Sequence, residues 1–117
     1  MDARQRGKLG EEIALAYLLR SGYIKIATGF RSRFGEIDII VRNSEYTVFV
    51  EVKLRKNANF AQAREFVSNK KQDKIRATAS LWLTSHRAAL QPRFDVIEIY
   101  APDDTSTPEI IHIENAF

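Results

Sequence analysis

Two hydrophobic runs dominate the pattern along the chain. Gly35-Glu36-Ile37-Asp38-Ile39-Ile40-Val41 and Val48-Phe49-Val50-Glu51-Val52-Lys53 have strand-like composition and flank a polar break, Arg42-Asn43-Ser44-Glu45. This arrangement predicts a β-hairpin. Upstream, Leu9, Ile13, Ala16 and Tyr17 recur at helical spacing, so a helix is expected from about Ala3 to Arg20, with Gly22 as its stop. Tyr23 to Phe30 reads as a first strand and Arg31 to Gly35 as a loop.

After Lys53 the pattern changes. Lys56 to Asn59 reads as a loop and Phe60 to Phe66 as a flexible or partly helical arm. A second helix is expected from Asn69 to about Ser85, with Asn69 as the cap and Gln72 completing a capping box. Its core face would be Ile75, Ala79 and Trp82, with Thr78 and Leu81 alongside. Arg93 to Tyr100 reads as a strand, Ala101 to Pro108 as a loop, and Glu109 to Ile113 as a short edge strand topped by His112. Asp95 reads as structural, paired with a base on a helix. The order α-β-β-β-α-β(-β) predicts one domain over residues 1–117, an α/β sandwich around a mixed sheet. The first three strands would form an antiparallel meander, and the helical crossover would bring the next strand in parallel to the Glu51 strand.

Three charged residues interrupt the hairpin strands: Asp38, Glu51 and Lys53. Charge inside a strand calls for a partner or a ligand. Glu51 and Lys53 are two apart and share a face. A loop with an even number of residues puts Asp38 on that face too, within about 8 Å of Glu51, whereas an odd loop reverses it. Two close carboxylates suit Mg²⁺ or Mn²⁺, with the Val52 carbonyl as a further oxygen and Lys53 placed to orient water or stabilise charge on a phosphate. A cross-strand salt bridge has the same spacing, and spacing alone does not choose between them. On the first helix Glu11 shares a face with Ala14, Leu15 and Leu18, and Glu12 with Leu15, Ala16 and Leu19. Periodicity leaves that choice open as well.

Composition narrows the classes. There is no cysteine, which excludes disulfides and thiolate zinc sites. No apolar run approaches the ~20 residues of a membrane span, and no signal core follows the N-terminus, so a cytoplasmic protein is expected. The net charge of +3 permits a nucleic-acid partner. Basic residues gather at Arg4, Arg6 and Lys8, at Arg31 and Arg33, at Lys53, Arg55 and Lys56, and at Lys70, Lys71 and Lys74.

Asp38 followed by Glu51-Val52-Lys53 resembles the PD-(D/E)xK nuclease signature. Gly7-x-x-Gly10-Glu11-x-x-Ala14, Gly22-Tyr23, Gly35-Glu36-Ile37-Asp38, Phe49-Val50-Glu51-Val52-Lys53-x-Arg55 and Arg93-Phe94-Asp95-Val96-Ile97 together resemble the YraN family of small bacterial proteins. That family is in turn similar to archaeal Holliday-junction resolvases. The resemblance implies a restriction-endonuclease-like core and a Mg²⁺-dependent or Mn²⁺-dependent endonuclease acting on DNA, branched DNA included. It implies Asp38 and Glu51 as metal ligands, Lys53 as the catalytic residue that orients the water or stabilises the developing charge, and Glu11 rather than Glu12 as an assisting acid. Arg31, Arg33, Arg55, Lys70 and Lys71 would then form a phosphate-binding rim. A silent nucleic-acid-binding module with the same fold is the alternative, and a homodimer is compatible with either. Gly29 stands where the family leads one to expect Asn, and Ala61 where it leads one to expect Gly. Both departures read as peripheral. Gln72 is followed by Arg76, so a Gln-x-x-x-Tyr motif is absent.

Overall fold

The computed structural model describes residues 2–55, 67–100 and 107–117. The expected arm from Phe60 to Phe66, with Ala61, lies outside the described residues, as do Lys56 and most of the expected loop from Ala101. The elements are α1 (Ala3–Arg20), β1 (Ile24–Ser32), β2 (Gly35–Arg42), β3 (Tyr46–Arg55), α2 (Asn69–His86), β4 (Gln91–Tyr100) and β5 (Glu109–Ile113). The five strands form one mixed sheet in the order β1-β2-β3-β4-β5. β1, β2 and β3 are the antiparallel meander, β4 runs parallel to β3, and β5 closes the far edge antiparallel.

The two helices cover opposite faces. α1 places Ala14 and Leu18 on Ile39, Val41, Val48, Val50, Ile97 and Ile99. α2 places Ile75, Ala79 and Trp82 on Ile37, Ile40, Phe49 and Val96. The expected α2 face of Ile75, Thr78, Ala79 and Trp82 is the buried one, and the departures are Ala16 in α1 and Leu81 in α2. In α1 the buried line is Gly10-Ala14-Leu18, and Ala16 is exposed. Small residues decide this: a methyl group at Gly10 would already lie 3.5 Å from Leu54 Cβ and 3.6 Å from Val52 Cγ1. The helix therefore seats closest to β3 at Gly10. In α2 Leu81 is 43% exposed and Thr78 takes the core position. The Thr78 hydroxyl can be buried because it donates to the Lys74 carbonyl and meets Ser32 Oγ at 2.8 Å. The cap of α2 is Ser68, not Asn69, and its hydroxyl accepts the Lys71 N–H. The Gln72 side chain donates to the Val67 carbonyl, so it completes no box with Asn69.

Opposite the α2 face, a buried polar cluster ties the far edge of the sheet to α1. Arg93 donates twice to Asp95, at 2.9 and 2.8 Å, and His112 Nε2 lies 2.6 Å from Asp95 Oδ2. His112 Nδ1 meets the Tyr17 hydroxyl of α1 at 3.1 Å. Burial alone would raise the Asp95 carboxyl, but hydrogen bonds from His112, Arg93 and the Asn115 N–H outweigh it and hold the group below its ordinary range. Asp95 is structural as expected, but its partners come from β4 and β5, not from a helix. His112 does not top an open edge face either; its side chain is covered by Tyr17 and Tyr23.

The first hairpin is longer than expected. Arg31 and Ser32 belong to β1, paired with Glu36 and Gly35, and only Arg33 and Phe34 remain as a turn. Within it Gly29 adopts φ +61°, between the Thr28↔Ile39 and Phe30↔Ile37 pairs. Gly29 therefore stands across from Asp38 and is not peripheral. The left-handed conformation costs an ordinary residue about 1–2 kcal/mol, and Asn tolerates it better. Gly29→Asn is expected to melt in urea close to the wild type, whereas Gly29→Val loses at least about 2 kcal/mol. Equal melting of the two variants would show that this kink is not required.

Candidate metal centre

The β2–β3 hairpin is built around an Asx turn. Asn43 Oδ1 accepts the N–H groups of Glu45 and Tyr46, and Asn43 N–H bonds the Tyr46 carbonyl. The register that follows, Arg42↔Thr47 through Ile39↔Val50, is the even one. Continued by one step, it sets Asp38 across from Glu51.

The ladder stops at that step. Asn43 and Tyr46 form a hydrogen-bonded pair, and such pairs alternate, so Val52 N–H would next belong to Ile37. Instead it donates to Asp38 Oδ2 at 2.8 Å. β2 also turns about its own axis here. Ile37 and Ile39 are two apart, yet Ile37 joins the α2-side core and Ile39 the α1-side core. The kink at Gly29 bends β1 with it. The strands fork, and the Asp38 carboxylate stands in the fork. In a ladder residue the N–H and the C=O face the same neighbour, so the Val52 carbonyl is aimed into the same gap.

Carboxylates converge there from separate elements. Ligand oxygens of Glu11, Glu36 and Asp38 lie within 4.8 Å of one another. Glu11 arrives because Gly10 seats α1 on β3, which turns the next residue toward the fork; Glu12 faces solvent. Glu51 stands outside this trio, with a side chain only 6% exposed. Its Oε1 accepts the Lys71 ammonium and lies 3.4 Å from Lys53 Nζ. The sheet thus brings together Asp38, Glu51, Lys53 and Glu11 as the sequence suggested, and adds Glu36 and Lys71 to them. Glu36 lies two residues before Asp38 on β2. Nothing in the sequence marked Lys71 above Lys70, which is exposed.

The charge pattern follows from burial and proximity. Desolvation, then the charge of Glu51, push the Asp38 carboxyl up to about 7, against the lowering effect of the Val52 N–H. Desolvation and Glu36 likewise raise Glu11. Burial and the neighbouring Lys71 lower Lys53, with Glu51 opposing. Burial would lower Lys71 too, but its bond to Glu51 wins and raises it.

The expected basic rim assembles in part. Arg31 is 79% exposed and lies 3.5 Å from Glu36, at the border of the acidic trio. Arg33 covers the Phe34 ring in the turn, and this turn meets α2, since Gly35 is packed against Lys74 and Thr78. Arg55 is half-buried at the end of β3. Lys71 belongs to the centre itself. A residue that sequence reasoning passed over is Glu98, fully buried on β4, level with Lys53 in the register and accepting the Tyr100 hydroxyl at 3.3 Å.

Comparison with known proteins identifies one family. Residues 10–99 match the model of "Uncharacterised protein family UPF0102". A UPF0102 protein of Acetivibrio thermocellus is 42% identical over 97% of this chain and 92% of its own length. One from Clostridioides difficile is 40% identical over the whole of both chains. One from Vibrio parahaemolyticus is 42% identical over 97% of this chain and 92% of its own.

The Asp38 carboxyl gives the centre a pH signature. Its proton is held up to about 7 in the fold against 3.8 as the ordinary value. Its contribution to stability is therefore full below about 4 and is lost as the pH rises to about 7. Metal-free protein is expected to melt at lower urea at pH 8 than at pH 5. Asp38→Asn keeps an acceptor for Val52 N–H but cannot ionise, so most of that difference should vanish. An unchanged difference in the variant assigns the titration elsewhere.

Proposed function

The chain belongs to the UPF0102 family, and we propose that it is a divalent-metal-dependent endonuclease acting on DNA, branched DNA included. The observation that carries this reading is the Asp38 carboxylate, anchored on Val52 N–H in a strand fork and crowded by Glu11 and Glu36. On this reading the mixed sheet and its two helices are a restriction-endonuclease-like core.

The donor set fits a hard cation. It consists of carboxylate and carbonyl oxygens, and burial, then the charge of Glu51, disfavours an uncompensated charge on Asp38. Asp38, Glu51 and the Val52 carbonyl would hold Mg²⁺ or Mn²⁺, which when bound supplies an acidified water and neutralises charge on the phosphate. Glu11 and Glu36 are placed to hold waters beside it. Lys53, two residues from Glu51 on the same strand face, is placed to orient the attacking water and to stabilise the developing phosphorane charge. Arg31, beside Glu36, and Arg33, in the adjoining turn, would steer the backbone of the nucleic acid.

One observation favours a second reading, a catalytically silent DNA-binding module with this fold. Glu51 is already neutralised by Lys71 and Lys53 with no ion required.

Calorimetry is expected to show Mn²⁺ binding in the wild type and its loss in Asp38→Asn. Single-turnover cleavage of linear, nicked and four-way DNA in Mg²⁺ then decides between the readings. Cleavage should fall by about 10²–10³ in Lys53→Met, with DNA affinity kept. Mn²⁺ binding and DNA binding with no cleavage of any substrate would establish the silent module.

The rim has its own test. Removing Arg31 and Arg33 together should flatten the slope of log affinity against log salt by about two units. An unchanged slope removes the β1–β2 turn from the interface.

A further inference from the structure

Glu51 carries more cation than its position needs. It is a single carboxylate, nearly all of it buried, and both Lys53 and Lys71 approach the same oxygen, Oε1. Two ammoniums on one oxygen repel each other, and Lys53 and Lys71 are themselves close enough to be hydrogen-bond partners. Both ammoniums of the centre are thus held on Glu51, while Lys71 acts on Asp38 only through its charge and Arg31 lies 3.5 Å from Glu36 of the acidic trio.

An ion entering between Asp38 and Glu51 changes this balance. It would add two charges to a carboxylate that already holds two ammoniums, in surroundings where charges are poorly screened. One ammonium must withdraw. Lys53 is the more buried, with 21% of its side chain exposed, and its strand neighbours on either side are paired with β4. Lys71 is 43% exposed and sits in the first turn of α2. Its backbone is fixed by the Ser68 cap, so only the flexible four-carbon stem needs to move.

We infer that Lys71 is a displaceable cation: it holds Glu51 until a divalent ion takes its place, and then turns to a phosphate of the nucleic acid. This rests on the metal-site reading of Asp38 and Glu51. It makes ion and DNA binding mutually supportive through one side chain, and such a coupling is reciprocal.

The test compares wild type, Lys71→Arg and Lys71→Met. By calorimetry, Lys71→Met should bind Mn²⁺ on the order of tenfold more tightly, an ordinary size for coupling between two ligands. Lys71→Arg should stay near the wild type. DNA affinity is then measured against salt, once in Ca²⁺ and once in chelator. The slope for Lys71→Met should be flatter by about one unit in Ca²⁺ and unchanged in chelator. Equal Mn²⁺ affinity, or the same slope change in both buffers, overturns the inference while leaving the metal site standing. A wild type that binds no Mn²⁺ overturns both. Wild-type protein labelled with ¹⁵N-lysine gives a readout that does not depend on any variant folding. The Lys71 ammonium resonance should move to a solvent-exposed position on Mg²⁺ addition, and an unmoved resonance rejects displacement.

Discussion

The centre depends on one hydrogen bond, from Val52 N–H to the Asp38 carboxylate. A sheet cannot open without leaving backbone donors unsatisfied, and each buried orphan costs about 1–3 kcal/mol. Here a side chain replaces the missing backbone acceptor at the point where β2 leaves β3. That substitution ends the ladder without an orphan and fixes the carboxylate in the gap. A neutral acceptor would close the ladder equally well but would bring no charge. An acid at that position makes the opening of the sheet and the placing of a carboxylate in the gap the same event. The left-handed Gly29 on the neighbouring strand lets β1 follow the bend, so β1 and β2 turn together away from β3.

Rigidity around the fork comes from elements far from it in sequence. Glu11 reaches Asp38 only because α1 is pressed onto β3 at Gly10 and held at its other end by Tyr17 on His112. His112 is in turn fixed by Asp95 and Arg93. The polar cluster on the α1 face is therefore connected to the acidic centre through the axis of one helix. On the other face, α2 fixes Lys71 by its cap and holds the β1–β2 turn through Thr78 and Ser32. Each helix delivers one charged side chain to the centre, a carboxylate from one face and an ammonium from the other.

Much of this was legible along the chain, because the relevant signals were local. The element order and the parallel fourth strand followed from hydrophobic runs and a helical crossover. The face of Asp38 followed from loop parity, since Asn43 makes the turn that an even register needs. What escaped the sequence was set by contacts between elements. Glu11 and Glu12 have equal claims until it is known that Gly10, not Leu9 or Ile13, is the point of closest approach. Gly29 looks peripheral until the register puts it across from Asp38. Ser68 and Asn69 are both good caps by residue type, and the structure uses Ser68.

The assembled charge explains why this fold holds its acids so close. Glu11, Glu36, Asp38 and Glu51 share the fork region with Lys53, Lys71 and Arg31. With every group ionised the anions remain in excess, and burial makes the excess costly, which is why the Asp38 carboxyl keeps its proton up to about 7. A salt bridge evolved for stability alone would match its charges and need no fork, no left-handed glycine and no acid from a separate helix. These features each spend stability locally, and the two apolar cores on either side of the sheet make that tolerable. The residual negative charge, set where backbone and side-chain oxygens point into one gap, is what a divalent cation would neutralise. Any ion bound there stabilises the folded chain by mass action, so the strain stored in the fork and the affinity for a cation are two sides of one arrangement.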